Sequence, residues 1–295
     1  MSYILAVCLA ICWGTAFLAT KNIVGALPPC WSTFYIVMAG LIFLGGLYLI
    51  QGKSLRISRK DIWRPWLIGF LLILFPFAAR SWGMRYITAT LGGILNGTAP
   101  IWAFIVGAVL LKGVDRFTWL RAFGVLLGMA GVTVIMWPTL SFGDNPMALY
   151  GCIALLLMAW SYAFGNVLTK KILVDDNSST LEANAFHQYV FSAVVLLIFA
   201  LCLEPAPAVS VFSMEVIISI ICAGVFSSAI AFLLLVALLK RWGATRASAI
   251  NYFAPVVAML TDIIASSRYP NKYEIIGLII ILISSILIQK PVKDN

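Results

Sequence analysis

The chain predicts an all-α polytopic membrane protein: ten transmembrane helices, arranged as two inverted five-helix repeats with both termini cytoplasmic. Three observations predict it. Of 295 residues, 62% are hydrophobic and 11% charged, against roughly 45–50% and ~25% in soluble domains. Apolar runs of about 20 residues, the length that crosses a bilayer, recur from one end to the other. Lys and Arg gather in alternate breaks between those runs. Mean hydropathy is +1.02. So much apolar surface does not fit inside one soluble core, which excludes a soluble enzyme, a disordered chain and a nucleic-acid-binding module. The net charge of +9 is dispersed between apolar segments, so it carries topology rather than an affinity for nucleic acid.

The ten segments are 2–24, 30–50, 66–86, 88–111, 118–137, 148–169, 183–203, 215–238, 244–266 and 273–289. They are too long and too uniformly apolar for the ~10-residue alternating strands of a barrel. The first is not a signal peptide, because no basic residue precedes it and Lys21 follows it. The breaks after segments 2, 4, 6 and 8, with the C-terminal tail, hold 15 of the 20 Lys and Arg; the opposite breaks hold 4, and Arg80 lies inside segment 3. That asymmetry puts both termini in the cytoplasm. The six cysteines lack CxxC spacing and sit in or beside apolar runs. They read as small buried thiols, with no disulfide or metal implied.

A shift of 155 residues places Ala89-Thr90 on Ala244-Thr245, Asn96 on Asn251, Ala99-Pro100 on Ala254-Pro255 and Gly69 on Gly224. A shift of 147 places Trp13-Gly-Thr-Ala-Phe17 on Trp160-Ser-Tyr-Ala-Phe164, and one of 153 places Gly124 on Gly277. Five helices is an odd number, so the second copy enters the membrane from the opposite face. Inverted repeats of this kind are common in secondary transporters, where two similar halves exchange conformations about a central site.

Trp13-Gly14-Thr15-Ala16-Phe17, Ala99-Pro100, Asp115-Arg116-Phe117-Thr118, Gly124 and Ala130-Gly131-Val132, with Trp160, Ala254-Pro255 and Gly277 in the second half, resemble the drug/metabolite transporter superfamily, in particular its EamA-type permeases. The resemblance implies one five-helix repeat over 1–140 and a second over 147–290. It also implies a bacterial inner-membrane location, a central cavity, and amino acids or related metabolites as substrates, often exported. One position departs from the family pattern. Where the second half should repeat the acidic residue of the Asp115 motif, Arg268 stands instead.

Among residues that would carry function, Asn96 and Asn251 come first. An Asn inside a bilayer must find partners, because lipid offers none. They are expected to bind substrate at mirrored depths, or else to bond between helices. Pro100 and Pro255 follow by four residues, where each would free the carbonyl of its Asn and kink the helix as a hinge. Trp13, Phe17, Trp82, Trp160, Tyr162 and Tyr252 are the aromatic candidates for the cavity wall, with Trp102 and Tyr189 at similar depth. Trp63, Trp66, Trp137 and Trp242 suit the interfacial belt. Arg80, Asp262 and His187 are the intramembrane ionisable residues. Arg80 either snorkels to the periplasmic interface or pairs with Asp262 as an outer gate. His187 either couples transport to protons or is simply hydrogen-bonded.

The expected function is a secondary transporter that moves a small polar metabolite by alternating access, by export or exchange. Its partners are that substrate and membrane lipid; a proton is an open coupling ion, and the protein is a monomer or a homodimer. No cofactor is implied: there is no phosphate loop. No paired carboxylates, metal set or Ser/His arrangement mark an intramembrane enzyme. A flippase for a lipid-linked group is the alternative.

Overall fold

The computed structural model of the chain describes residues 2–110, 119–141, 146–169, 180–235, 237–238, 241, 250 and 253–289. Regular structure among them is helical throughout. In chain order the helices are α1 (Ser2–Ala26), α2 (Pro29–Ile50), α3 (Trp63–Gly83), α4 (Ala89–Asn96), α5 (Ala99–Leu110), α6 (Trp119–Ser141), α7 (Pro146–Thr169), α8 (Leu181–Leu203), α9 (Met214–Leu235), α10 (Ala254–Ser266) and α11 (Lys272–Gln289). Six of these, α1, α2, α3, α7, α8 and α9, are long and apolar enough to cross a membrane. The protein is therefore a multi-pass membrane protein. Its outer surface agrees: Ile4, Val7 and Ile11 on α1, Val194 and Ile198 on α8, and Ile276, Ile279 and Ile283 on α11 are all exposed. That is the pattern of a surface solvated by lipid rather than water.

Starts are set by local capping. The hydroxyls of Thr88, Thr180 and Ser213 accept from the backbone N–H three residues on, at the first turns of α4, α8 and α9. Asn271 caps α11 by accepting from Tyr273 and Glu274 N–H, while Glu274 accepts in return from Asn271 N–H at 2.9 Å. This is a reciprocal capping box.

The largest core joins α2, α3, α8 and α9 through Ile36, Leu44, Leu74, Phe77, Tyr189, Leu196 and Ala223. A second joins α1, α3, α4, α7 and α10 around Phe17, Met84, Leu95, Leu155 and Met158. Tyr162 packs against both. The pair α6 and α11 lies to one side. They meet closely at Gly131 and Gly277, where a Cβ on Gly277 would stand 2.9 Å from the Gly131 carbonyl. Ile94 of α4 buttresses this pair. An apolar groove of about 530 Å³ runs along them, lined by Ala130, Thr133, Val134, Trp137 and Tyr273.

The two halves share their irregularities. In α3 the residues Phe70–Leu74 form a π-helical stretch, and in α9 Cys222–Ile230 do the same. The 155-residue shift carries the first onto the second. Directions are opposed between the copies. Gly151, near the start of α7, packs on Gly83 at the end of α3, and Lys21, near the end of α1, reaches the carbonyls just past α3. So α7 begins at the end of the bundle where its sequence counterpart α1 finishes.

Candidate functional site

Segment 4 of the sequence does not form one helix. α4 stops at Asn96, Gly97 and Thr98 form a turn, and α5 starts at Ala99. Gly97 N–H is shared between the Gly93 and Ile94 carbonyls, and Ile101 N–H bonds to Thr98 O at 2.9 Å, so the ladder restarts at Thr98. The expectation of a kink inside a continuous helix is corrected accordingly. Pro100 stands in the first turn of α5, and Pro255 in the first turn of α10, which begins at Ala254. In a first turn the missing N–H is an orphan anyway and the fixed φ suits the helix. The prolines begin helices rather than bend them.

These two starts face each other. A Cβ on Gly97 would stand 2.9 Å from Pro255 Cγ, and one on Gly93 would strike the Ala258 side chain. Only glycine lets α4 approach α10 this closely. Asn96, at the break, buries its Oδ1 without a hydrogen-bond donor. Asn251 and Tyr252 lie outside the described residues.

Both π stretches are tied to neighbours by hydroxyls. A π turn leaves backbone carbonyls out of the α ladder. Ser161 Oγ, in α7, donates to Leu71 O at 2.7 Å. Ser192 Oγ, in α8, donates to Gln188 O at 2.8 Å and reaches Gly69 O at 3.4 Å. Tyr189 hydroxyl, in α8, bonds Ser228 Oγ within the π stretch of α9.

Arg80 lies beside this region and is 6% exposed. Its guanidinium sits over the Phe77 ring, 4.6 Å from the centroid. Phe77 is one turn back along α3, so the side chain points into the bundle. Snorkelling would require the opposite direction. Its Nε and Nη2 have no hydrogen-bond partner among the described residues. Among the described residues, Tyr162 and Tyr189 stand within electrostatic reach of it.

Arg80 does not pair with Asp262. The Asp262 Oδ2 accepts from Thr90 N–H at 3.1 Å and Thr90 Oγ1 at 2.7 Å, in the first turn of α4, and stands 3.7 Å from Arg268 Nη1. A carboxylate at a helix N-terminus is favourably placed against the dipole. Ser267 adopts a left-handed conformation, φ 50, and this turn after α10 brings Arg268 back over the helix end. Arg268 Nη2 also donates to Glu274 Oε1 at 2.8 Å. At the same end of the bundle, Lys21 Nζ donates to Met84 O at 2.7 Å and Ile87 O at 2.8 Å. There too, the Glu204 carboxylate accepts from Cys30 and Trp31 N–H at the start of α2. The outer-gate pair expected from sequence is thus replaced by a cluster centred on Asp262 and Arg268. In the sequence Arg268 stands out only as a departure. Its Asn271-x-x-Glu274 neighbour was the signal that a buried acid waited nearby.

His187 is also placed. Its Nε2 donates to Leu55 O at 2.9 Å, in the connection between α2 and α3. Lys53 and Glu182 bridge the same two elements at 3.2 Å. Of the aromatics, Phe17 is buried in the cluster that also holds Met84 and Met158, and Trp13 packs against the cluster of Leu9, Ala10, Leu238 and Ile250. Trp82 and Trp160 are each 37% exposed. Trp82 meets Tyr86 edge-on at 5.2 Å, and Trp160 stacks on Phe164 at 5.4 Å. The structure brings Arg80, Tyr162 and Tyr189 together, and does not gather all the aromatic candidates at one place.

The description of the EamA-like transporter family matches residues 1–137 and, a second time, 149–289. The chain belongs to the EamA-like transporter family. It is 24% identical over 247 residues to the uncharacterized transporter YoaV of Bacillus subtilis (strain 168), covering 84% of this chain and 82% of that one. It is 22% identical to a probable amino-acid metabolite efflux pump of Salmonella typhimurium, covering 94% and 91%. A solved crystal structure superposes with a TM-score of 0.67 at 19% identity, over 97% of this chain and 95% of that one. That likeness concerns the fold alone. Together these place the chain among transporters rather than enzymes.

Proposed function

We propose that this EamA-family protein is a secondary transporter that moves a small polar metabolite, an amino acid or a related compound, across the bacterial inner membrane by alternating access. The observation that carries the reading is the matched irregular backbone of the two halves. Each has a π stretch at the same repeat position and a helix starting at an Ala-Pro pair, and α7 runs opposite to α1. Irregular backbone at membrane depth is tolerated only where it is buried or lines a cavity, and transporters concentrate it at the substrate site. On this reading α4 with α5, and α6, α10 and α11, supply the four spans beyond the six long ones. Both termini are cytoplasmic, and the Asp262 end is periplasmic. Asn96 and Asn251 bind substrate, and the Gly97–Thr98 turn acts as a hinge.

Solute counterflow in proteoliposomes tests it. One class of metabolite should exchange across the membrane, and Asn96→Ala should reduce that exchange at least tenfold while folded yield is kept. A protein that exchanges no solute, yet equilibrates a fluorescent lipid-linked probe between leaflets, would transfer the reading to a flippase.

A further inference from the structure

Arg80 is the exception among the buried and half-buried charges of the described residues. Asp262 has Thr90 and Arg268. Glu274 has Arg268 and the Asn271 N–H. Lys21 has carbonyls. Glu204 has two backbone N–H groups. Arg80 has the face of Phe77 and nothing that bears a negative charge among the described residues. A buried guanidinium that is neither paired nor hydrogen-bonded is strongly disfavoured, so a residue of this kind calls for a partner from outside the chain.

The geometry around it describes that partner. The guanidinium is held on one face by Phe77 and directed inward from α3. Tyr162 of α7 and Tyr189 of α8 stand within electrostatic reach, and Tyr189 continues into the Ser228 hydroxyl of the α9 π stretch. Arg presents a planar fork that matches an oxyanion through two parallel N–H···O bonds. There is a single uncompensated positive charge, so a single negative charge balances it. A phosphate dianion or a dicarboxylate would leave one charge unpaired in the membrane interior. The Phe77 ring and Leu74, both in the apolar core, suit an apolar side chain on that solute.

We infer that Arg80 is the anchor for the carboxylate of a monocarboxylate substrate, bound between α3, α7 and α8 beside the paired π stretches. The inference rests on the transporter reading above and names its substrate class. It explains why this charge, unlike Asp262, is left without a partner: the substrate completes the pair and carries its own charge into the site.

The test uses the full-length protein in detergent and in proteoliposomes. The probes are a panel of L-amino acids and aliphatic and aromatic monocarboxylates, each beside its carboxamide, with succinate and inorganic phosphate as dianions. At least one acid should raise the melting temperature and drive counterflow, while its carboxamide and the dianions do neither. Arg80→Gln should weaken that acid's apparent affinity at least thirtyfold, the scale for losing one partner of a buried charge pair. Arg80→Lys, which keeps the charge and loses the fork, should retain the preference for acid over amide. The melting temperature of ligand-free Arg80→Gln should match or exceed that of the wild type, because no partner is orphaned. A lower melting temperature, with the acid preference intact, would make Arg80 a structural residue and overturn the inference. So would equal binding of acid and amide, or a panel on which only neutral or dianionic solutes bind and exchange; the transporter reading survives those results. Absence of counterflow by every solute would overturn both.

Discussion

Arg80 and Asp262 are both buried ionisable residues near the ends of helices, at 6% and 4% exposure, and the fold treats them in opposite ways. Asp262 is consumed by the structure. It accepts twice from Thr90, lies at the positive end of α4 and stands beside Arg268. One side chain thereby fastens α10 to α4 and to the turn entering α11. Arg80 fastens nothing: it rests on its own helix, over Phe77. In the apolar interior of a membrane protein, charge alone does not distinguish a working residue from a structural one. The number of hydrogen bonds it has already made does.

That contrast breaks most visibly on removal of Asp262. Asp262→Ala should orphan the Thr90 donors and leave Arg268 with Glu274 alone, and cost about 3 kcal/mol, the low end for breaking a buried pair because Arg268 is partly solvated. The measurement is thermal melting in detergent beside Arg80→Gln, which should melt no lower than wild type. Equal losses in the two variants would erase the distinction. Next comes Glu204→Ala, which takes a charged acceptor from two N–H groups at the start of α2. A loss of about 2 kcal/mol is expected, with no change in which solutes are bound.

Much of this was legible in the sequence. Repeated Gly69/Gly224 and Ala-Pro pairs foretold structural symmetry because each marks a backbone constraint: close approach in one case, a helix start in the other. Pro100 is the exception, since α4 ends at Asn96 and α5 begins at Ala99. From sequence its neighbours Gly97 and Ala99 look like helix interior, and the choice between a kink and a new start depends on where the hydrogen-bond ladder breaks. The π stretches were invisible for a related reason. Phe70-Leu-Leu-Ile-Leu74 has nothing that forbids a regular α turn, and the carbonyl it releases is satisfied by Ser161 from a distant helix. Arg268 was equally hidden, since its partners are assembled by a left-handed Ser267. Periodicity and composition record local preference; pairing across 90 or 172 residues they do not.

A finer comparison sets Ser161 against Ser284. Both hydroxyls are buried and donate to a distant carbonyl at 2.7 Å, Leu71 in the first case and Gly124 in the second. Each Ser→Ala variant should lose about 1 kcal/mol. Only Ser161 holds a π stretch beside Arg80, so Ser161→Ala should also slow counterflow severalfold, and Ser284→Ala should leave it unchanged. Equal kinetic effects would mean the π stretch has no part in transport.

The smallest effect is expected at His187. A proton-coupling histidine must gain and lose a proton during the cycle with its charge exposed to the pathway. Here Nε2 is committed to the Leu55 carbonyl, and the ring lies edge-on to Phe186 at the end of α8 that holds the Lys53–Glu182 bridge. Such an imidazole ties the α2–α3 connection to the bundle. His187→Gln keeps a donor of similar reach, and it should change stability by less than about 1 kcal/mol. The rate of counterflow between about pH 5 and 8, where histidine titrates, should follow the wild-type profile point for point. A flattened profile would return His187 to the transport pathway, and would mean that a residue with a filled hydrogen bond can still be a working one.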